Sequence, residues 1–198
     1  MRLLKFFCVM VLFASGLISG GASAAPEKFQ IDSQHTHIVW QVDRFGFAKT
    51  IGSFADVTGV IMLDEIAPEN SSVQAEITLA GLRSDLLERE DIVRGVFWLN
   101  AANFPTITFV SNRVVVREGN GQKHADIEGT MTLKGASGPL ILRTNLNRIG
   151  IDPVTKKKAV GFTATGIFKR SDFGVKTAVG PVGDDVTFQI EIMAVSVE

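Results

Sequence analysis

Between Ser72 and Leu79 every second residue is apolar: Val73, Ala75, Ile77 and Leu79 fall on one side, and Ser72, Gln74, Glu76 and Thr78 on the other. Successive side chains of an extended chain point to opposite faces, so a period of two marks a strand with one face buried and one wetted. Ile38, Trp40 and Val42 alternate in the same way, as do Val57, Gly59, Ile61 and Leu63. Further strand-like runs span Thr106–Ser111, Arg113–Arg117, Ile127–Leu133, Leu140–Leu146, Val160–Phe168 and Val186–Val195. Turn residues punctuate them at Gly119-Asn120-Gly121, at Gly135-Ala136-Ser137-Gly138-Pro139 and at Asp152-Pro153. Parallel neighbours need crossovers of about a dozen residues or more, and these links are shorter, so the strands are antiparallel neighbours in chain order. A long meander leaves two sticky edges, and closing it into a barrel removes both. A barrel of about eight strands has an interior that side chains can fill or that can hold one small ligand.

One stretch breaks the alternation. Ser84–Leu99 spaces Leu86, Leu87, Val93, Val96 and Phe97 near helical intervals, with Ser84 as N-cap and Asp85 in the first turn. This is expected to be a helix, broken near Gly95, over an end or flank of the barrel.

Residues 1–24 stand apart from this pattern. Arg2 and Lys5 form a positive start, Phe6–Ile18 an uncharged apolar run, and Ala22-Ser23-Ala24 a small-residue exit, the layout of a cleavable signal peptide. The apolar run falls short of the roughly 20 residues that span a bilayer. Its Cys8, the single cysteine, is badly placed for lipid attachment. The expectation is export to the periplasm and one domain over residues 25–198. Loss of Arg2 and Lys5 shifts the formal charge from −1 to −3, which gives nucleic acid no electrostatic footing. The exported part has no cysteine, so its stability must come from a core rather than disulfides.

The aromatic residues are Phe and Trp only. Each alone suits ordinary core packing; together, inside one barrel, they suit the lining of an apolar pocket. An outer-membrane barrel is the rival, but aromatic girdles and long polar loops on one side are missing from the pattern. His35 and His37, two apart, could chelate a metal from one strand face, yet His124 is the only other histidine and three or four ligands are the norm. Asp172-Phe173-Gly174 matches a kinase tripeptide without the accompanying kinase motifs. Neither Ser171 nor His35 has an evident partner for hydrolysis. Arg170 and Asp172 fall on one face at a strand end, where they could pair or frame the barrel mouth, and Asp172 could equally stabilise a turn before Gly174. Lys156-Lys157-Lys158 reads as a solvated hairpin tip, able at most to touch an anionic lipid surface weakly.

Ile31-Asp32, His35-Thr36, Trp40, Phe45-Gly46-Phe47, Gly52 and Phe54 open a series of matches to one family. It continues through Asp56–Leu63, Arg89-Glu90, Phe104–Phe109, Gly129, Thr132, Gly135 and Gly161-Phe162. Its most specific pieces are Lys169-Arg170-Ser171-Asp172-Phe173-Gly174 and Val182-Gly183-Asp184-Asp185-Val186. In this order and spacing, from about Phe29 to Val195, the chain resembles the YceI-like family of periplasmic, polyisoprenoid-binding, lipocalin-like proteins. The resemblance implies an all-β fold with one short helical segment, an antiparallel eight-stranded lipocalin-like β-barrel. It also implies an isoprenoid lipid or quinone as bound ligand, and no required cofactor, metal or catalytic group. The residues expected to meet that ligand are Trp40, Val42, Phe45, Phe47, Phe54, Phe97, Trp98, Phe104, Phe109, Phe162 and Phe173, with Arg170 and Asp172 at the mouth. Arg44, Ile51, Ile92, Lys134 and Asn100 depart from the family pattern and bear on any contact with a polar head group. A non-catalytic interaction or stress-protective protein with a filled barrel is the alternative; a homodimer is compatible with either.

Overall fold

The alternating segments pair into one sheet that closes on itself. A computed structural model describes residues 25–119 and 122–197; the signal-peptide reading, and the Asn120-Gly121 turn, fall outside the described residues. The strands are β1 (Glu27–Ile31), β2 (His37–Arg44), β3 (Ala48–Phe54), β4 (Val57–Leu63), β5 (Ser72–Thr78), β6 (Leu82–Ser84), β7 (Thr106–Gly119), β8 (Gln122–Leu133), β9 (Ala136–Ile151), β10 (Lys158–Lys169) and β11 (Val182–Ser196), with one helix, α1 (Leu87–Arg94). All the strand pairings are antiparallel, and β1 pairs with β11 to close the ring.

Three of the eight staves are interrupted: β1 runs on into β2 along β11, β3 into β4, and β5 into β6. The first break is tied down by Thr36, fully buried, whose hydroxyl donates to Met193 O at 3.3 Å and accepts from Met193 N at 3.2 Å. Asp32 N–H also donates to Met193 O. The backbone groups that the ladder loses at the interruption are thereby partnered again. The two runs expected at Thr106–Ser111 and Arg113–Arg117 are one strand, with a bulge where the register shifts between Ser111 and Arg113.

The β8–β9 turn is tighter than the Gly135–Pro139 cluster suggests. Only Lys134 and Gly135 lie outside the strands, with φ of 51° and 77°. Two left-handed residues in succession make the primed hairpin turn whose twist suits its flanking strands. Gly138 and Pro139 therefore belong to β9. Asp184-Asp185, which a preceding Gly183 would suit to a turn, sits instead within β11, at the bulge between Val182 and Val186.

The helix is shorter than expected and differently begun. Ser84 ends β6 instead of capping α1; its hydroxyl donates to Leu86 O and accepts from Leu86 N. Glu90, one turn into α1 and buried, accepts from Ser84 N at 2.7 Å and lies 3.6 Å from Arg94 Nη1. This carboxylate pins the helix across the barrel end. The helix stops at Gly95, as its sequence suggested.

Candidate functional site

Each stave contributes an inward row at two-residue spacing, and the rows leave a cavity of about 450 Å³. On β2 the row is Ile38, Trp40, Val42 and Arg44; on β9 it is Leu140, Leu142, Thr144 and Leu146; on β11 it is Val186, Phe188, Ile190 and Ile192. From α1 and the turns after it, Ile92, Val93, Trp98 and Leu99 close over one end. The outward residues of the same strands, among them Gln74, Glu76, Arg143, Gln189 and Glu191, are exposed. An outer-membrane barrel has the reverse arrangement, apolar outside and polar within. Among the described residues no helix is long and apolar enough to cross a membrane.

Three aromatic rings lie flat on this wall because a glycine sits beneath each. A Cβ on Gly52 would fall 2.2 Å from Trp40, one on Gly129 2.3 Å from Phe109, and one on Gly166 2.4 Å from Phe188. Gly52 and Gly166 are the direct cross-strand partners of Trp40 and Phe188. Rings that fold over cross-strand glycines shield the bare backbone there and leave the middle of the barrel open.

Of the residues expected from sequence, Trp40, Val42, Phe54, Trp98, Phe109, Phe162 and Arg170 line the cavity. The others do not. Phe45 and Phe47 form the tip of the β2–β3 hairpin, and Phe47 is 93% exposed. Phe97 points outward from the turn after α1, 75% exposed. Phe104 packs under the β8–β9 turn, against Gly135. Phe173 is buried behind the wall, edge-on to Phe168 at 5.5 Å. Aromatic content alone could not separate these positions, since a turn removes the alternation that assigns a side. Val93 and Leu99 carry no sequence sign of a lumen position, and Ile92 none beyond its departure from the family pattern, because a short helix does not show which of its faces meets a lumen.

Arg170 and Asp172 do not pair. Arg170 lies in a 3-10 turn after β10, is 4% exposed, and spends its guanidinium on backbone carbonyls. Nε donates to Gly183 O at 2.8 Å, Nη1 to Val175 O and Thr177 O at 2.8 Å each, and Nη2 to Val182 O at 3.0 Å. Its Cζ stands 5.1 Å from the centre of the Trp98 ring. Burial lowers its pKa, and the charge of Asp184 opposes that shift. Arg170 is thus the clamp of the β10–β11 connection and, through Trp98, of the cavity's cover. Asp172 is exposed; the acid that organises the turn is Asp184, which accepts from Ser171 Oγ at 2.7 Å and Ser171 N at 2.9 Å. Those bonds hold the Asp184 carboxyl below its ordinary range.

His35 and His37 do not share a strand face, because β2 starts only at His37. His35 Nδ1 lies 2.7 Å from Asp32 in the turn before it, which lowers the Asp32 pKa. His37 is exposed opposite Glu191, and His124 contacts Asn145 at the other end of the barrel. Among the described residues no cluster of three or more metal-ligating side chains occurs.

Comparison with known proteins agrees with this architecture. The YceI-like domain family matches residues 29–194. Protein YceI of Salmonella arizonae is 33% identical over 194 residues, covering 98% of this chain and 97% of that one. The crystal structure of Burkholderia cenocepacia BcnA superposes with a TM-score of 0.72 at 22% identity, covering 82% of this chain and 98% of that one. A polyisoprenoid binding domain from Saccharophagus degradans, implicated in plant cell wall breakdown, has the same fold with a TM-score of 0.64 at 11% identity, covering 85% of this chain and 98% of its own. By its ring of eight staves and by its sequence from Phe29 to Ala194, the chain belongs to the YceI-like domain family.

Proposed function

We propose that this protein binds an isoprenoid lipid or quinone in its lumen and carries or stores it in the periplasm, without catalysing a reaction. The observation that carries the reading is the hollow interior: a cavity of about 450 Å³ whose walls are aliphatic and aromatic on every stave. That volume lies within the roughly 300–1,000 Å³ usual for small-molecule sites. Transfer from water stabilises each buried methylene by about 0.8 kcal/mol, so a long hydrocarbon gains affinity from length alone. The likeness to a domain described as polyisoprenoid binding supports the same ligand class. The composition of residues 1–24 supports export. A binding role accords with the state of Asp184, which accepts from the Ser171 hydroxyl but is held below its ordinary pKa and is therefore a poor base for activating it.

Native mass spectrometry of the protein taken gently from the periplasmic fraction is the test. A bound species of isoprenoid mass is the expected result, together with a thermal shift on adding geranylgeraniol to stripped protein; at a hundredfold excess over Kd, mass action stabilises by about 2.7 kcal/mol. Protein that is empty as isolated and indifferent to added isoprenoid would overturn the reading.

A further inference from the structure

Arg44 ends the inward row of β2. Trp40 and Val42 precede it at two-residue intervals on the same wall, so its guanidinium stands at the lumen's helix-side mouth. There its Cζ lies 4.9 Å from the centre of the Phe45 ring. Among the described residues Arg44 is in no ion pair. Thr50, opposite Val42 on β3, and Arg89 of α1 border the same opening, and Arg89 is paired with Asp85. The remaining lumen arginine, Arg170, is already committed to four backbone carbonyls.

The far end of the lumen has the opposite character. Asp64 and Glu65 border it. Asp64 accepts from the backbone of Ile66 and Ala67, and Glu65 meets Lys158 at 2.6 Å. The apolar tunnel therefore has an arginine without an ion-pair partner at one end, and at the other carboxylates whose neighbouring cation, Lys158, is already paired.

We infer that the bound lipid carries an anionic head of the phosphate-ester type, held at the helix-side mouth by Arg44 with Thr50 and Arg89 beside it, and lies with its tail toward the Glu65 end. This rests on the lumen being a lipid site, and adds the class of head group and the direction of the tail. A guanidinium offers planar, divergent N–H donors that match phosphate oxygens. A neutral quinone ring would leave the Arg44 charge unused, and at the far end Lys158 is already taken by Glu27 and Glu65 and has no free charge to offer an anionic head.

The test compares two ligands of equal tail, geranylgeranyl monophosphate and geranylgeraniol, titrated against stripped full-length protein and followed by tryptophan fluorescence. Wild-type protein is expected to bind the monophosphate at least about tenfold more tightly, equivalent to about 1.4 kcal/mol. The ratio should shrink as salt rises. In Arg44→Gln it should fall to within about twofold of unity, and in Arg44→Lys it should lie between. Equal affinities in the wild type, a salt-independent ratio, or a ratio unchanged in Arg44→Gln would overturn the head-group assignment while leaving the lumen reading intact. Failure of the wild type to bind either compound would overturn the lumen reading and this inference with it.

Discussion

The indole of Trp40 lies across Gly52, its direct partner on the neighbouring strand, so closely that a Cβ there would sit 2.2 Å from Cζ2. The same Cβ would come within 2.9 Å of Arg83 O, a backbone atom that cannot move aside cheaply. In Gly52→Ala the ring must therefore leave the wall, and the lumen that Trp40 lines lies next to it. Overpacking of this kind destabilises by about 1–3 kcal/mol. The displaced ring should also occupy room that the ligand needs. We expect a lower unfolding midpoint and weaker isoprenoid uptake together, with a changed Trp40 emission read in a Trp98→Phe background. Unchanged emission and uptake would show that the glycine does not set the bore.

Arg170 supports an analogous argument about the mouth. Four carbonyls share its guanidinium, and three of them, Val175, Thr177 and Val182, belong to or border the β10–β11 connection. An ammonium is a compact charge without that planar fork. Arg170→Lys should therefore lose stability, and Arg170→Met should lose more, because each buried carbonyl left without a donor costs about 1–3 kcal/mol. Chemical denaturation measures both; a methionine variant as stable as the wild type would refute the clamp.

These two sites show where sequence was legible and where it was not. Alternation on β5 and β9 assigns inside and outside correctly, because a half-buried strand has just two sides and its polar residues choose one. Trp40 and Phe109 were therefore readable as lumen residues, whereas Phe54, on a strand without a clear alternation, entered only with the family resemblance. Phe45, Phe47 and Phe97 were not, since they sit in turns where no alternation exists. Arg170 was legible as important but not for its reason: pairing with Asp172 is a local guess, whereas its carbonyl partners come from residues 5 to 13 positions away. The break between β1 and β2 was also hidden, because Thr36 restores the pairing through a contact with Met193 that only the closed ring creates.

Asp184 gives a pH dependence with a defined sign. Its carboxyl is held below the ordinary range, first by the Ser171 hydroxyl, then by the Ser171 backbone N–H and by the charges of Lys169 and Arg170. A carboxylate whose folded pKa lies below its unfolded value of about 3.9 adds stability that is full above that value and is lost as pH falls through the lowered one. Ser171→Ala removes the largest cause, so the folded pKa rises toward the unfolded value. Acid unfolding should then begin at a higher pH than in the wild type, while the difference between the two proteins at pH 7 shows the lost hydrogen bond. Circular dichroism against pH measures the acid limb, denaturation at pH 7 the lost hydrogen bond, and carbon-detected NMR the carboxyl pKa of Asp184 directly; identical acid limbs would contradict the assignment.

The division between wall and rim predicts two classes of aromatic substitution. Phe109 is 7% exposed and lies on Gly129 inside the barrel, and Trp98 closes the cavity beneath Arg170. Removing either ring takes away contact area for an apolar ligand, and Phe109→Ala should also cost about 3–5 kcal/mol of stability. Phe47→Ala changes a side chain that solvent already surrounds, and surface changes away from special features stay within about 0.5 kcal/mol. His35→Ala removes a pair with Asp32 in a turn outside the lumen, so it too should spare uptake. The expected order of isoprenoid affinity, read by fluorescence titration at a temperature where all variants remain folded, is therefore wild type, Phe47→Ala and His35→Ala together, then Phe109→Ala and Trp98→Ala well below. If His35→Ala alone abolished binding, a polar anchor at the β1–β2 break would have to replace the apolar wall as the source of affinity.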